Sequence, residues 1–341
     1  MRKMLVFYCS TVVAVTVVCV LWMGPAAAQA PAAGQAAPQA QGARGQMPAG
    51  AAALLNMTDP PAPKKHVLVL GFTEGFHHGS TSDGVATIWE LGEESGLFDT
   101  EIRTDTKWLT KGSLGFGEAH NLNWYDAIVA VNTTGTWQMT DQQKKDFISA
   151  IRDDGKGFIA VHAALDCNHD GVWPEFTEMI GGEFVSHPWF VFAAPVVIED
   201  LSFPAMRHLS SSNVVFYDEM YVPKAETWSR SKMNVLMRLD ESKLPPPGLQ
   251  EPYATLTGMG ALFAGPDNPM AGMMKAGIRA DQDYALAWAK LYGKGRVFYS
   301  SLGHTKASFR NPDVRKMYLE GIKWALGLSE GSTASHPKAK R

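Results

Sequence analysis

Histidines at the ends of predicted strands are the residues of this sequence best suited to chemistry. "GFIAVHAALD" places His162 directly after a short apolar run, and His304 follows the strand-like "RVFYS". His78, in "GFHHGS", comes after the apolar segment "HVLVLGF". Because the carboxyl ends of parallel strands lie along one edge of an open α/β sheet, we expect these side chains to converge. Imidazole is both a proton carrier near neutral pH and a common metal ligand.

The absence of two catalytic motifs indicates which mechanism such a cluster could use. There is no G-x-S-x-G elbow, and the cysteine nearest to His162 is Cys167, five residues later. Histidine and carboxylate acid/base chemistry, with Asp166 as the partner of His162, is therefore favoured over a covalent serine or cysteine mechanism. No H-E-x-x-H motif is present, so a divalent metal such as zinc stays an alternative and the cofactor is unknown. A single strand-end histidine can equally be a hydrogen-bonded structural residue.

The segments that would position these histidines alternate between short apolar strands and amphipathic helices. Strands are predicted at 66–72 and 157–161, with a helix at 82–95 between them, and Thr140 opens another helix with a capping-box pattern. This order predicts an α/β fold, a doubly wound and mostly parallel sheet with helices on both faces. Beyond Gly182 the sequence is richer in strands, which we expect to be antiparallel or to extend the sheet edge.

The two ends of the chain differ from this folded part. Residues 1–30 predict a secretory signal, with two basic residues before a long apolar run and small residues at its end. The protein is therefore expected to be exported, to the periplasm or outside the cell, unless the run is kept as an N-terminal membrane anchor. Residues 31–63 are rich in Ala, Pro and Gln and predict a disordered linker. Residues 64–328 are predicted to form the folded domain, and residues 329–341 a disordered tail.

Composition excludes some partners and leaves others open. The net charge of −3 and the scattered basic residues disfavour a nucleic-acid partner. Cys167 is the one cysteine outside the predicted signal, so no internal disulfide is expected.

The Pro-, Gly- and Met-rich stretch 241–281 predicts a surface loop insertion or a flap over the site. Four tryptophans near the strand ends could contact a sugar or fill the core: Trp137, Trp173, Trp189 and Trp288.

Taken together, several segments resemble the ThuA-like, or trehalose-utilisation, family. They are "FHHGST", "NWYDAIVAVNTTG", "MTDQQKKDF", "GKGFIAVHAALD", "IGGEFVSHP", "YDEMY", "VLMRLDES", "GKGRVFYSSLGHT" and "GIKWALG", in order along residues 66–327. The family's fold is similar to the flavodoxin-like fold of class I glutamine amidotransferases. By this resemblance His162 occupies the elbow where those enzymes carry a nucleophilic cysteine, which argues against glutamine hydrolysis.

The resemblance also implies a site and a role. Its polar rim maps onto six residues: His78, His162, Asp166, His187, Glu219 and His304. The implied partner is a small carbohydrate, and the implied role is disaccharide or glycoside catabolism, with a non-catalytic carbohydrate-binding domain as the alternative. The sequence departs from the family pattern at "YALAW" and in the 241–281 insertion, which puts substrate size and site access in question. Oligomeric state is not indicated.

Overall fold

The structure is a computed structural model that describes residues 63–115, 120–209, 214–250 and 271–338. The predicted signal, almost all of the predicted linker and the middle of the 241–281 insertion lie outside the described residues. The described part is built on a nine-stranded sheet with the order β2-β1-β3-β4-β11-β10-β9-β6-β7, beside a two-stranded sheet of β5 and β8.

One half of the large sheet is parallel and is formed mainly by the first strands of the chain. Its strands are β1 (Lys65–Leu70), β2 (Phe98–Arg103), β3 (Ala127–Val131), β4 (Gly157–Val161) and β11 (Gly295–Ser300). All of these neighbours pair in parallel. The side chains of β3 and β4 are buried throughout, as expected of strands that are covered on both faces. The carboxyl ends of β1, β4 and β11 therefore lie along a common edge.

The other half of the sheet is antiparallel, as the β-rich sequence beyond Gly182 predicts. It consists of β10 (Ala285–Tyr292), β9 (Asn234–Leu239), β6 (Val191–Ile198) and the edge strand β7 (Val214–Glu219). The small sheet pairs β5 (Phe184–Ser186) with β8 (Val222–Pro223). β7 ends at Glu219, so this half of the sheet brings a carboxylate toward the histidines.

Helices cover both faces of the sheet and enclose two hydrophobic cores. They are α1 (Thr81–Ser95), α2 (Asp141–Arg152), α3 (Pro174–Ile180), α4 (Ala271–Ala276), α5 (Lys306–Arg310) and α6 (Pro312–Ala325). Ile88 of α1 and Ile322 of α6 belong to one core, whereas Phe147 of α2 and Phe176 of α3 belong to the other. The predicted doubly wound α/β fold is confirmed.

Two peripheral segments have more structure than their composition suggests. Residues 329–338, within the predicted tail, form no helix or strand but make hydrogen bonds to the domain. His336 Nε2 lies 2.9 Å from the Val235 carbonyl oxygen, and Asn234 Nδ2 donates to the Ser332 carbonyl oxygen. In the insertion, Pro245 accepts a hydrogen bond from Trp189 Nε1, and Ala271–Ala276 forms the short α4.

Within the described ranges, no helix has the length and apolar character needed to cross a bilayer.

Replacement of Trp288 is a test of the packing between α3 and the sheet. Its side chain is fully buried in β10, and its Nε1 donates to the Ile180 carbonyl oxygen at 2.9 Å. Replacing Trp288 with Ala leaves a cavity and an unpaired carbonyl, and we expect a loss of about 3–5 kcal/mol in the free energy of unfolding, measured by urea titration. The matched control Trp89→Ala removes a half-exposed tryptophan and should cost less than about 1 kcal/mol. Equal losses would contradict this account of the core.

Candidate metal centre

Three histidines and one glutamate converge at the carboxyl edge of the sheet. His78 lies in the loop after β1, His162 follows β4, and His304 follows β11. Their ring centroids are 5.0–5.4 Å apart, and the rings meet nearly edge to face. One ligand atom from each of these imidazoles and one oxygen of Glu219 all lie within 4.8 Å of one another. The convergence that the strand-end pattern predicts is therefore present for these residues.

His162 is oriented by the backbone around it. Its φ is +47°, in the left-handed region, so the chain turns sharply where β4 ends and a 3₁₀ turn (His162–Leu165) begins. The ring is fully buried, and Nδ1 lies 2.6 Å from the Ser301 carbonyl oxygen, to which it can only donate. The lone pair is thus on Nε2, which is buried, has no hydrogen-bond partner and lies 3.7 Å from Glu219 Oε2.

His78 and His304 each present an unpaired nitrogen as well. His78 Nε2 lies 3.4 Å from the Tyr221 hydroxyl, while its Nδ1 is buried without a hydrogen-bond partner. His304 Nδ1 lies 3.0 Å from Glu219 Oε2 but outside hydrogen-bond geometry. Buried polar atoms without partners cost about 1–3 kcal/mol each, and several in one cluster call for an explanation. A cation bound between these lone pairs would supply it.

The electrostatics of the site favour neutral imidazoles at His162 and His78 and a negative charge at Glu219. Burial, together with the other histidines, lowers the pKa of His162 well below its usual value and that of His78 to about 4. Burial also opposes the charged form of His304, but the neighbouring Glu219 and Asp218 carboxylates outweigh it and raise the His304 pKa. Burial disfavours the Glu219 carboxylate, but its histidine neighbours prevail and lower its pKa. His162 and His78 are thus in the deprotonated form that metal ligands need.

A buried hydrogen-bond network fixes the loop that carries His304. Asp218, the residue before Glu219, accepts from the backbone N–H groups of Gly303 and Thr305 at 2.7 and 2.9 Å. The Gly303 carbonyl oxygen in turn accepts from Ser80 Oγ and Asn132 Nδ2. The end of β7 and the loop after β11 are therefore tied together immediately beside the site.

The other two predicted site residues, His187 and Asp166, are not among the four converging ligands. His187 borders the cluster, with Nδ1 3.3 Å from Glu219 Oε1, although it is not one of the four converging ligands. Asp166 lies closer to another histidine, with Oδ1 3.4 Å from His169 Nε2. Within the described residues, no hydrogen bond or ion pair joins Asp166 to His162, and the carboxylate nearest to His162 Nε2 in the ion pairs is that of Glu219, at 3.7 Å.

Several features of the site could not be recognised from side-chain patterns. Ser301 acts through its carbonyl oxygen on His162 and through Oγ, which accepts from the Tyr221 backbone N–H at 2.7 Å. Tyr221 packs its ring 4.2 Å from that of His162. The only sequence signal for either residue is its closeness to a predicted site residue. The tryptophans considered for sugar contact are core residues, all at most 3% exposed: Trp137, Trp173, Trp189 and Trp288.

The fold and the polar strand-end cluster define a doubly wound α/β protein with three histidines and a glutamate at the carboxyl edge of its sheet. The sequence model of the ThuA family, described as trehalose utilisation, matches residues 66–325, and the chain belongs to this family. No protein of curated function matches the sequence.

Solved structures similar to this chain include two ThuA-like proteins. A ThuA-like protein from Bacteroides uniformis ATCC 8492 has a TM-score of 0.57 at 17% identity, covering 79% of this chain and 94% of its own. A ThuA-like protein from Parabacteroides merdae ATCC 43184 has a TM-score of 0.51 at 15% identity, with coverages of 82% and 94%. At these identities the likeness shows the fold alone.

Asp166 gives the domain a testable pH dependence. Burial raises the pKa of Asp166 to about 6, so ionising this carboxyl costs more in the folded chain than in the unfolded one. Its contribution to stability is most favourable below about pH 4 and is lost as the pH rises through about 6. We expect Asp166→Asn to raise the free energy of unfolding at pH 8 by up to about 3 kcal/mol relative to its effect at pH 4, measured by urea titration.

A surface carboxylate provides the control for Asp166. Asp99 pairs with Lys64 at 2.8 Å, and its side chain is 52% exposed. Asp99→Asn should shift stability by less than about 1 kcal/mol at either pH. Curves of stability against pH that run parallel for the wild type and Asp166→Asn would show that the carboxyl of Asp166 is not destabilised by its surroundings.

Proposed function

We propose that this chain is an exported, metal-assisted enzyme of disaccharide or glycoside catabolism. The observation that carries the proposal is the convergence of His78, His162, His304 and Glu219, with three imidazole nitrogens buried and unpaired. Membership of the trehalose-utilisation family supports a carbohydrate-related role. Export rests on the composition of residues 1–30, with an uncleaved anchor as the alternative.

The donor set suits a divalent transition metal such as zinc. Imidazole and carboxylate ligands bind zinc at about 2.0–2.2 Å, so a tetrahedral shell needs donor atoms roughly 3.3 Å apart. The 3.0 Å between His304 Nδ1 and Glu219 Oε2 and the 3.7 Å between His162 Nε2 and the same oxygen bracket that spacing. His78, His162, His304 and Glu219 would hold the ion, and a catalytic ion there would need room for one further ligand, from water or a sugar oxygen.

The residues around the proposed ion would orient its ligands and the substrate. A divalent ion would polarise a sugar oxygen or make a bound water more acidic. The Ser301 carbonyl oxygen fixes the tautomer of His162, and the Tyr221 hydroxyl lies beside the far nitrogen of His78. His187 Nδ1 lies 3.3 Å from Glu219 Oε1, whereas His162 and His304 approach Oε2, and we assign His187 to orienting the substrate.

Metal binding is the first test of the proposal. Protein expressed without a histidine tag should retain close to one equivalent of a divalent metal, measured by inductively coupled plasma mass spectrometry. His162→Ala or His304→Ala removes one donor and should weaken metal binding by at least about 100-fold, since even lost outer contacts weaken metal sites by 10- to 100-fold. Chelation should lower the melting temperature of the wild type, because the ion binds only the folded chain.

His120→Ala is the matched control for the metal test. His120 also pairs with a glutamate, Glu101, but it stands outside the four-residue cluster. This variant should keep the metal content and the chelator response of the wild type. If the wild type binds no divalent metal after reconstitution, or if His162→Ala binds it equally well, the metal-assisted mechanism is wrong and metal-free histidine and glutamate acid/base chemistry takes its place.

Turnover separates an enzyme from a carbohydrate-binding domain. The metal-loaded protein is incubated with glycosides, disaccharides and their 3-keto derivatives, and products are followed by mass spectrometry. We expect product from at least one of them, with a loss of more than about 100-fold in kcat/KM for Glu219→Gln. Tight sugar binding without product from any substrate would identify the protein as a non-catalytic accessory domain on the same fold.

A further inference from the structure

Phe76 is an exposed aromatic residue on the loop that leads into the site. Its side chain is 66% exposed, the highest exposure among the large apolar residues that the structure describes. The loop beneath it is fixed, because the Phe76 carbonyl oxygen accepts from Thr134 Oγ1 at 2.8 Å and the Glu74 backbone N–H donates to the Thr134 carbonyl oxygen. A rigid loop that holds a phenylalanine in water gains no folding energy from that ring.

The same loop is locked from the other side by a glycine. Gly135 has φ +75°, and a Cβ on it would lie 2.6 Å from backbone atoms of Glu74 and Gly75. The loops after β1 and β3 therefore touch directly, immediately before Phe76. The conformation of the loop after β1 places Phe76 at the surface.

The ring of Phe76 borders the candidate metal centre. Its centroid lies 4.8 Å from that of His78, at 75° between the planes, so it is the immediate neighbour of a metal-binding imidazole. The other aromatic rings around the cluster are already engaged: Tyr221 packs on His162, and Phe184 lies 4.1 Å from Tyr221. Among the described aromatic rings that contact the cluster or Tyr221, Phe76 is exposed, whereas Phe184 is half-buried and Tyr221 is buried.

Resting on the proposed function, we propose that Phe76 is the platform on which the apolar face of a pyranose ring stacks beside the metal. Pyranosides with mostly equatorial hydroxyl groups, of which glucose is the type, carry axial C–H groups on their faces and hydroxyls around the rim. A face of this kind covers an aromatic ring, while the rim hydroxyls need polar partners. Glu74 and His77 are exposed on the same loop and are the polar residues that we expect to meet those hydroxyls.

The polar surroundings favour a sugar over a protein partner. A protein-docking surface usually presents several contiguous apolar side chains. Here Glu74, Gly75 and His77 flank the single phenylalanine and are themselves exposed. One aromatic face with polar groups beside it fits a ligand that is apolar on one side and hydroxylated at its edge.

The test compares sugar binding by metal-loaded wild type, Phe76→Ala, Phe76→Trp and the control Trp89→Ala. The probes are methyl α- and β-glucoside, trehalose, and methyl mannoside, whose axial hydroxyl disturbs one face. Affinity is measured by calorimetry, and saturation-transfer NMR reports which sugar protons contact the protein. We expect Phe76→Ala to weaken glucoside binding about 5- to 20-fold, with unchanged metal content, while Phe76→Trp retains binding. Saturation should be strongest at the C–H protons of one ring face.

The outcomes distinguish the two proposals. If the wild type binds a glucoside and Phe76→Ala binds it as well as Trp89→Ala does, the stacking platform is overturned and the proposed function stands. If no sugar of the panel binds the metal-loaded wild type, the sugar substrate fails and the platform fails with it. Loss of metal from Phe76→Ala would show that the ring supports His78 and not the substrate.

Discussion

The buried carboxylate of Glu219 is the charge on which the functional edge of this protein depends. It is only 5% exposed, and an ion removed from water to that extent is stable only with close partners. Its two oxygens meet three histidines: His162 and His304 on one side and His187 on the other. The raised pKa of His304 follows in part from this charge. A cation among the imidazoles balances it more fully than neutral rings can.

The sheet architecture explains why the Glu219 carboxylate lies beside the three histidines. The parallel half of the sheet brings strand ends together by topology, and it supplies His78, His162 and His304. The antiparallel half has no such rule, and β7 is the last strand at its edge. Hydrogen bonds from the loop after β11 to Asp218 draw the end of β7 back to the centre. The parallel half of the sheet thus supplies the three histidines, and the antiparallel half supplies the carboxylate.

The sequence predicts the features that periodicity governs. Alternating strands and helices indicate the doubly wound sheet, and strand-end positions indicate the convergence of three histidines. Asp166 is a plausible partner for His162 because it is near in sequence, but the 3₁₀ turn between them carries its carboxylate toward His169. Glu219 is remote in sequence, so its pairing depends on how the antiparallel strands fold over. Backbone partners such as the Ser301 carbonyl oxygen have no signature in residue types, and an amphipathic tryptophan fits a core as well as a sugar.

The distribution of the cluster along the chain has a consequence for folding. His78 lies near the beginning of the described domain and His304 near its end, so the site exists only after the most distant segments have met. Contacts between distant segments form slowly, because chain entropy is lost before they stabilise anything. A partly folded intermediate therefore has no complete ion-binding site, and an ion that needs all four donors cannot trap it. In the finished domain, the same ion would slow unfolding of the whole domain, because separating the first strand from the last breaks its coordination.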